Sequence, residues 1–275
     1  MTILDFDFMR RALLAASLVG LIAPLIGVFL VQRRLALLGD GMGHVALTGV
    51  GLAFLLGTAP VPTAMAAAVV GAFLIEFIRY RSRTAGDVAL ALLFYGGIAG
   101  GVLFASLAPG KASSSLNAYL FGSLSTVAEE DVWALTVLAL GVIAVIAVLG
   151  RELFAVSLDP DIAAVQGIRV RVMSTLMAVL AAVVVVVGMR VVGLLLVSAI
   201  MIVPVAAAQQ VTRSFRATAV LAILLGLLAS IAGLVGSFYV EVPPGPAIVI
   251  VALLLFAVLA TIAVPIRRRR RRERP

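Results

Sequence analysis

The sequence predicts an all-α membrane protein, a polytopic bundle of about nine transmembrane helices. Three observations predict it. Sixty-three per cent of the 275 residues are hydrophobic and 12% are charged, against about 45–50% and about 25% in a soluble domain. The apolar residues fall into repeated runs near twenty long, about the helix length that crosses a bilayer. Two-residue alternation is absent, which argues against a β-barrel. Lipid requires each spanning segment to satisfy its own backbone, and a helix does so.

The nine runs are residues 12–32, 44–58, 61–79, 88–108, 132–149, 172–189, 191–208, 217–236 and 247–265. The second and seventh are short. Residues 109–130 are less apolar and predict a short non-spanning helix. Basic residues orient the chain, because cytoplasmic loops collect Lys and Arg. With the N-terminus outside, 17 of the 21 basic residues fall inside, and only Arg10, Arg11, Lys111 and Arg190 fall outside. An odd number of spans follows, with eight plus a re-entrant segment as the alternative. No internal repeat is evident. Residues 1–266 form one membrane domain, and 267–275 form a basic cytoplasmic tail.

The net charge of +8 does not describe a nucleic-acid surface. Six consecutive arginines, Arg267 to Arg272, lie just past the last run. There they face anionic lipid as a juxtamembrane anchor. The absence of cysteine excludes disulfides and thiolate metal sites. No cleavable signal peptide is expected, since no small-residue cleavage site follows the first run.

The first stretch with chemistry is GDGMGHVALTGVG, Gly39 to Gly51. Asp40 and His44, the chain's only histidine, stand at the start of the second run. On a helix, a spacing of four puts both side chains on one face. Gly41 and Gly43 weaken a helix. They suit a broken one, whose unwound backbone lines a cavity in many transporters. A half-length span would then begin inside the membrane. Imidazole with carboxylate suits a divalent transition metal. Two bland readings stand beside that one: Asp40 as an N-cap and His44 as a polar packing residue. Met42 is either a soft ligand or packing.

The second stretch is the longest cytoplasmic loop, Gly150 to Arg171. Asp159 is placed to cap a helix that opens at Pro160, continues through Asp161, Ile162, Ala163, Ala164, Val165 and Gln166, and ends at Gly167. It reads either as a solvated connector or as a docking helix for a soluble partner. In the third stretch, Val191 to Gln210, Gly193, Ser198 and Ala199 permit close helix approach, and Pro204 is expected to break the helix. The fourth, Glu241 to Ala247, is a rigid external turn. Among the other charges, Glu76 is expected to pair with Arg79 or to snorkel. Glu129, Glu130 and Asp131 suit the positive end of a helix dipole.

Some absences are informative. The only lysine is Lys111, after Gly110, but residue 105 and residue 112 are both alanine. That fails the P-loop pattern. No nucleophile-elbow, zinc-protease or kinase signature appears.

Five segments together resemble the membrane permeases of the zinc/manganese ABC importers, which have a type II importer fold. They are RRLALLGDGMGHVALTGVGLAFLLG (Arg33–Gly57), AYLFGSL (Ala118–Leu124), LDPDIAAVQGI (Leu158–Ile168), VGLLLVSAIMIVPVAAA (Val192–Ala208) and PPGPA (Pro243–Ala247). The resemblance covers nearly the whole chain from Arg33 onward. It implies a homodimer of permeases, two cytoplasmic ATPase subunits and an external protein that delivers zinc, manganese or iron. It implies no tightly bound cofactor; the divalent metal is cargo. Asp40 and His44 match residues thought to line the metal path. The segment from Asp159 to Gly167 matches the ATPase-docking loop. It departs from the general importer pattern at Asp161 and Ile162, where Glu and Ala stand elsewhere. The arginine tail is not explained by the resemblance.

The implied mechanism is alternating access driven by ATP hydrolysed on another chain. His44 must be neutral to ligate, so transport is expected to fall as pH drops through its titration. The rivals are an ion-coupled secondary transporter, an intramembrane protease using Ser174 or Ser198 with His44, and a structural scaffold.

Overall fold

A computed structural model describes residues 6–81, 86–109, 116, 119–122 and 127–272. Every regular element among the described residues is helical. They are α1 (Asp7–Gln32), α2 (Leu38–Leu56), α3 (Pro60–Arg81), α4 (Gly86–Leu107), α5 (Glu129–Leu158), α6 (Pro160–Val165), α7 (Val170–Val192), α8 (Leu194–Val211), α9 (Phe215–Val240) and α10 (Pro244–Arg272). Nine of these, all but α6, are long and apolar enough to cross a membrane. Each matches one of the nine apolar runs. Much of the short helix expected within 109–130 lies outside the described residues, although 119–121 are helical.

The bundle is layered by burial. α1 and α2 are each about two-thirds buried over their most apolar windows, and α7 and α8 more than half. α3, α4, α5 and α10 are buried over less than a third. Small residues allow the central helices to approach, as is usual where lipid gives no hydrophobic drive between them. On α1 these include Ala12, Ala15, Ala16 and Ala23; on α7, Ala178, Ala181 and Ala182, all buried. α1 packs on α5, α7, α8 and α9, whereas α2 packs on α3, α4, α7 and α8. The outward faces of α3, α4, α5 and α10 carry exposed Phe73, Leu92, Leu140 and Leu254.

Local chemistry sets the helix ends. α2 stops at Gly57, whose φ of 66° is the left-handed conformation of a C-cap. Ser214 opens α9 by accepting a hydrogen bond from the Ala217 amide at 3.3 Å. α7 and α8 are separated by Gly193 alone, with φ 89° and ψ 151°.

Three expectations are corrected. α2 is continuous across Gly41 and Gly43, where a broken helix was expected, and it starts at Leu38 rather than residue 44. Its glycines serve contact instead of unwinding. A Cβ on Gly39 would lie 2.9 Å from the Met201 sulfur, and one on Gly43 would collide with Leu194. α8 is continuous through Pro204, with no break. α5 extends past Gly150 to Leu158. Its 30 residues span about 45 Å, well beyond the roughly 30 Å hydrocarbon core. The extra turns are held because Leu153 and Val156 bury against Phe29, Ala163 and Met177.

Candidate functional site

The α2 helix carries three polar side chains at intervals of four, Asp40, His44 and Thr48, and that spacing aligns them on one face. His44 is 5% exposed. Its Nε2 lies 3.8 Å from Asp40 Oδ1, and the Asp40 side chain is 25% exposed. The separation is longer than a hydrogen bond. A cation about 2.1 Å from each atom would reach both. The Phe94 ring of α4 meets the imidazole edge-on, with centroids 4.3 Å apart. His44 Nδ1 is buried and has no hydrogen-bond partner among the described residues.

Depth is fixed by two glycines. A Cβ on Gly97 would lie 2.6 Å from the His44 carbonyl carbon, and one on Gly71 would lie 2.8 Å from Val45 Cγ1. Gly71 and Gly97 are each the twelfth of 22 residues in α3 and α4. His44 therefore lies level with the middle of two full-length spans. From His44 back to Leu38 is about 9 Å of helix. From Gly71 to the end of α3 at Arg81 is about 15 Å. α2 thus starts inside the bundle. Thr48 ties it to α4 one turn on, donating from Oγ1 to the Gly97 carbonyl at 2.7 Å.

The N-cap reading of Asp40 does not hold. The cap position is Leu37, without a side-chain bond, and Asp40 sits in the first turn. A carboxylate there is favoured by the helix dipole. An ionisable pair at membrane depth is costly and needs a partner or a function. Among the described residues, no group of three or more His, Cys, Asp or Glu is placed to hold a metal. The described residues thus offer a cation two donors here and no closed cage.

The α6 helix forms as its residues predict. Asp159 Oδ1 accepts from the Asp161 amide at 2.9 Å and the Ile162 amide at 3.1 Å. Pro160 occupies the first turn, and Gly167 takes a φ of 83°. Ala163 faces inward, whereas Ile162 and Val165 are 58% and 89% exposed. Asp161, Ala164, Gln166 and Gly167 are exposed too. α6 is too short to span a membrane, and its exposed apolar pair faces away from the bundle.

Pairings between distant segments were not evident beforehand. Arg190 Nη1 lies 2.9 Å from Asp131 Oδ1, and Asp131 Oδ2 accepts from the Ala128 amide at 3.0 Å. The Asp131 side chain is 8% exposed. Burial pushes the nearby Tyr119 phenol above its ordinary range, with Asp131 adding to the rise and Arg190 opposing it. Arg33 Nη1 donates to Ser174 Oγ at 2.9 Å. Ser198 Oγ bonds within its own helix, to the Leu194 carbonyl at 3.5 Å. Among the described residues neither serine is hydrogen-bonded to His44. Glu76 and Arg79 pair as expected.

The chain matches the model of the ABC 3 transport family over residues 5–263. It is 33% identical over 259 residues to the manganese import system permease protein ScaB of Streptococcus parasanguinis, covering 94% of this chain and 92% of that one. It is 30% identical over 254 residues to the manganese transport system membrane protein MntC of Listeria innocua, covering 92% and 90%. The structure resembles PsaBC from Streptococcus pneumoniae, solved in complex with Fab, with a TM-score of 0.83 and 28% identity, covering 93% of this chain and 92% of that one. An all-helical bundle with nine spanning candidates and this full-length agreement leave one assignment: the chain belongs to the ABC 3 transport family and is a multi-pass membrane permease.

Proposed function

We propose that this permease carries a divalent metal ion, manganese before zinc or iron, into the cytoplasm, and that Asp40 and His44 are its transient ligands. One observation carries the reading. A carboxylate and an imidazole share a face of α2, 3.8 Å apart, and the imidazole is level with the middle of α3 and α4. The names of the relatives favour manganese, and an oxygen and nitrogen donor pair suits that ion.

Two donors fill at most half of a four- to six-ligand shell. Water or a second copy of the chain supplies the rest, and incomplete coordination lets the ion leave. The partners in this reading are a second permease, cytoplasmic ATPase subunits and an external metal-binding protein. No cofactor is retained. The basic tail, 267–275, lies on the cytoplasmic side against anionic lipid, which agrees with the arginines that cluster at the same end of the helices.

The ATPase docks on α6. The exposed Ile162 and Val165 give it an apolar contact, Asp159 and Pro160 fix the helix start, and Ala163 anchors the helix to α5 and α7. The helix therefore moves with the bundle when the ATPase closes.

The test is metal uptake into proteoliposomes holding the permease and its ATPase. Manganese uptake should require ATP and should not run on a proton gradient alone. Ile162→Glu with Val165→Glu should abolish ATP-driven uptake and co-purification of the ATPase, with little change in permease stability, because both side chains are exposed. Uptake that proceeds without ATP, or unchanged docking in the double variant, would refute this reading.

A further inference from the structure

The geometry points to a binding site for one anionic phospholipid in the groove between α5 and α9, with its headgroup on Arg151 and Arg216 and an acyl chain along the apolar stripes beneath them. The groove lies at the α6 end of the bundle, the cytoplasmic end in the reading above. α5 and α9 both pack on α1, with little direct contact between them. The gap has a volume near 480 Å³, and Phe29, Ile146, Ala147, Arg151, Phe215 and Arg216 help to line it. Phe215 closes its inner side, with its ring centroid 5.1 Å from that of Phe29 and 4.6 Å from that of Phe154.

Charge and depth choose the occupant. Arg151 and Arg216 are both exposed. Among the described residues neither guanidinium has an ion pair or a hydrogen bond, and no carboxylate lines the groove. Glu152 follows Arg151 in the chain, but it lies outside the groove lining and its Oε2 is buried without a hydrogen-bond partner. Basic pockets between helices hold anionic headgroups. From Asp131, at the other end of α5, to Arg151 is about 30 Å of helix, the thickness of a hydrocarbon core. The arginines therefore stand where phosphates stand.

Each arginine also heads an apolar stripe. On α9, Val220, Leu224 and Leu228 follow Arg216 at intervals of four, and all three are exposed. On α5, Ala147 and Ile143 precede Arg151 at the same interval and are exposed too. That spacing keeps each set on one helix face. The stripes run about 18 Å and about 12 Å from their arginines toward the middle of the bundle. A soluble protein could meet the arginines, but it does not reach the stripes. A second copy meeting this groove about a two-fold axis would set the same arginines against themselves. A lipid satisfies both ends, with its phosphate at the arginines and its chain on the stripes.

A local fluorescence readout tests the site apart from the arginine tail. The chain has a single tryptophan, Trp133. A full-length Trp133→Phe, Ile143→Trp chain carries its only indole on the α5 stripe. A Trp133→Phe, Leu254→Trp chain carries it on the outward face of α10 and serves as the reference. Quenching by phosphatidylglycerol with brominated chains is compared with quenching by the matching phosphatidylcholine. The expected result is a preference for phosphatidylglycerol roughly fivefold greater at position 143 than at position 254. Arg151→Gln with Arg216→Gln should bring it down to the reference, and soluble glycerol phosphate should leave it unchanged. Both arginines are exposed and unpaired, so an unchanged melting temperature is expected for the double variant. The site is overturned by equal preference at the two positions, by a preference that survives the double substitution, or by displacement with glycerol phosphate. Quenching by neither lipid at position 143 would mean that protein covers the groove, which overturns it as well.

Discussion

Gly193→Ala should cost about 3 kcal/mol or more of stability and bring uptake down with it. Gly193 joins α7 to α8 with φ 89° and ψ 151°, a conformation that L side chains rarely adopt. A Cβ there would lie 2.5 Å from the Phe121 carbonyl carbon, 2.6 Å from the Gly122 amide and 2.7 Å from the Leu120 oxygen. All three are backbone atoms, so no rotamer change relieves the clash. Gly122 meets the same crossing from the other side at a φ of 73°, with a Cβ 2.7 Å from the Gly193 amide. Strain and overpacking therefore add at one point. The loss is large against the total stability of a folded chain. Gly141→Ala is the control: Gly141 lies inside α5 with nothing within 4 Å of a Cβ, so helix propensity alone should leave it neutral or slightly stabilised. Melting temperatures in detergent, followed by size-exclusion chromatography, check the pair. Equal melting of the two variants would contradict the role given to Gly193.

His44→Ala should reduce manganese uptake by at least ten- to hundredfold, since loss of even an outer-shell partner of a metal ligand typically costs that much. Alanine also leaves a void beside Phe94, so Asp40→Asn provides a second probe. It keeps the shape of the side chain and removes the charge that draws a cation. The Asp40 side chain is partly exposed, and among the described residues no hydrogen bond to it is formed. Its loss should therefore leave the melting temperature nearly unchanged and still suppress uptake. Wild-type uptake should decline as the medium is acidified, because an imidazolium does not ligate. Uptake per inserted chain separates a transport defect from a folding defect. Normal uptake by Asp40→Asn would remove the carboxylate from the path.

Much of the architecture was legible because lipid imposes a strict rule. Each span must be an apolar helix of sufficient length, so nine apolar runs became nine helices. The α6 helix was legible because Asp159, Pro160 and Gly167 act locally: a cap, a preset φ and a left-handed stop. The start of α2 was less legible. The residues GDGMGH lower the apolar signal, and glycines at 39, 41 and 43 look like a break. Met201 fills the space beside Gly39, and Leu194 and Val185 fill that beside Gly43, so the helix holds. Pro204 looked like a break for a similar reason, since the support given by packed neighbours has no local signature. The Asp131–Arg190 pair joins the start of α5 to the end of α7, and a contact so distant in sequence leaves no periodic trace. The candidate site was half legible. A lone histidine four residues from an aspartate stood out in an apolar run, but its depth came only from where Gly71 and Gly97 meet α2.

Because His44 is the chain's only histidine, pulsed electron paramagnetic resonance of bound manganese can address it directly. The tag-free permease is loaded with Mn²⁺, and nitrogen modulation of the electron spin echo is recorded. Modulation from one imidazole nitrogen is predicted. It should shift when the chain carries ¹⁵N-histidine and vanish in His44→Ala. Bound manganese with no imidazole modulation, or the same modulation after that substitution, would contradict the claim that the ion passes through this pair.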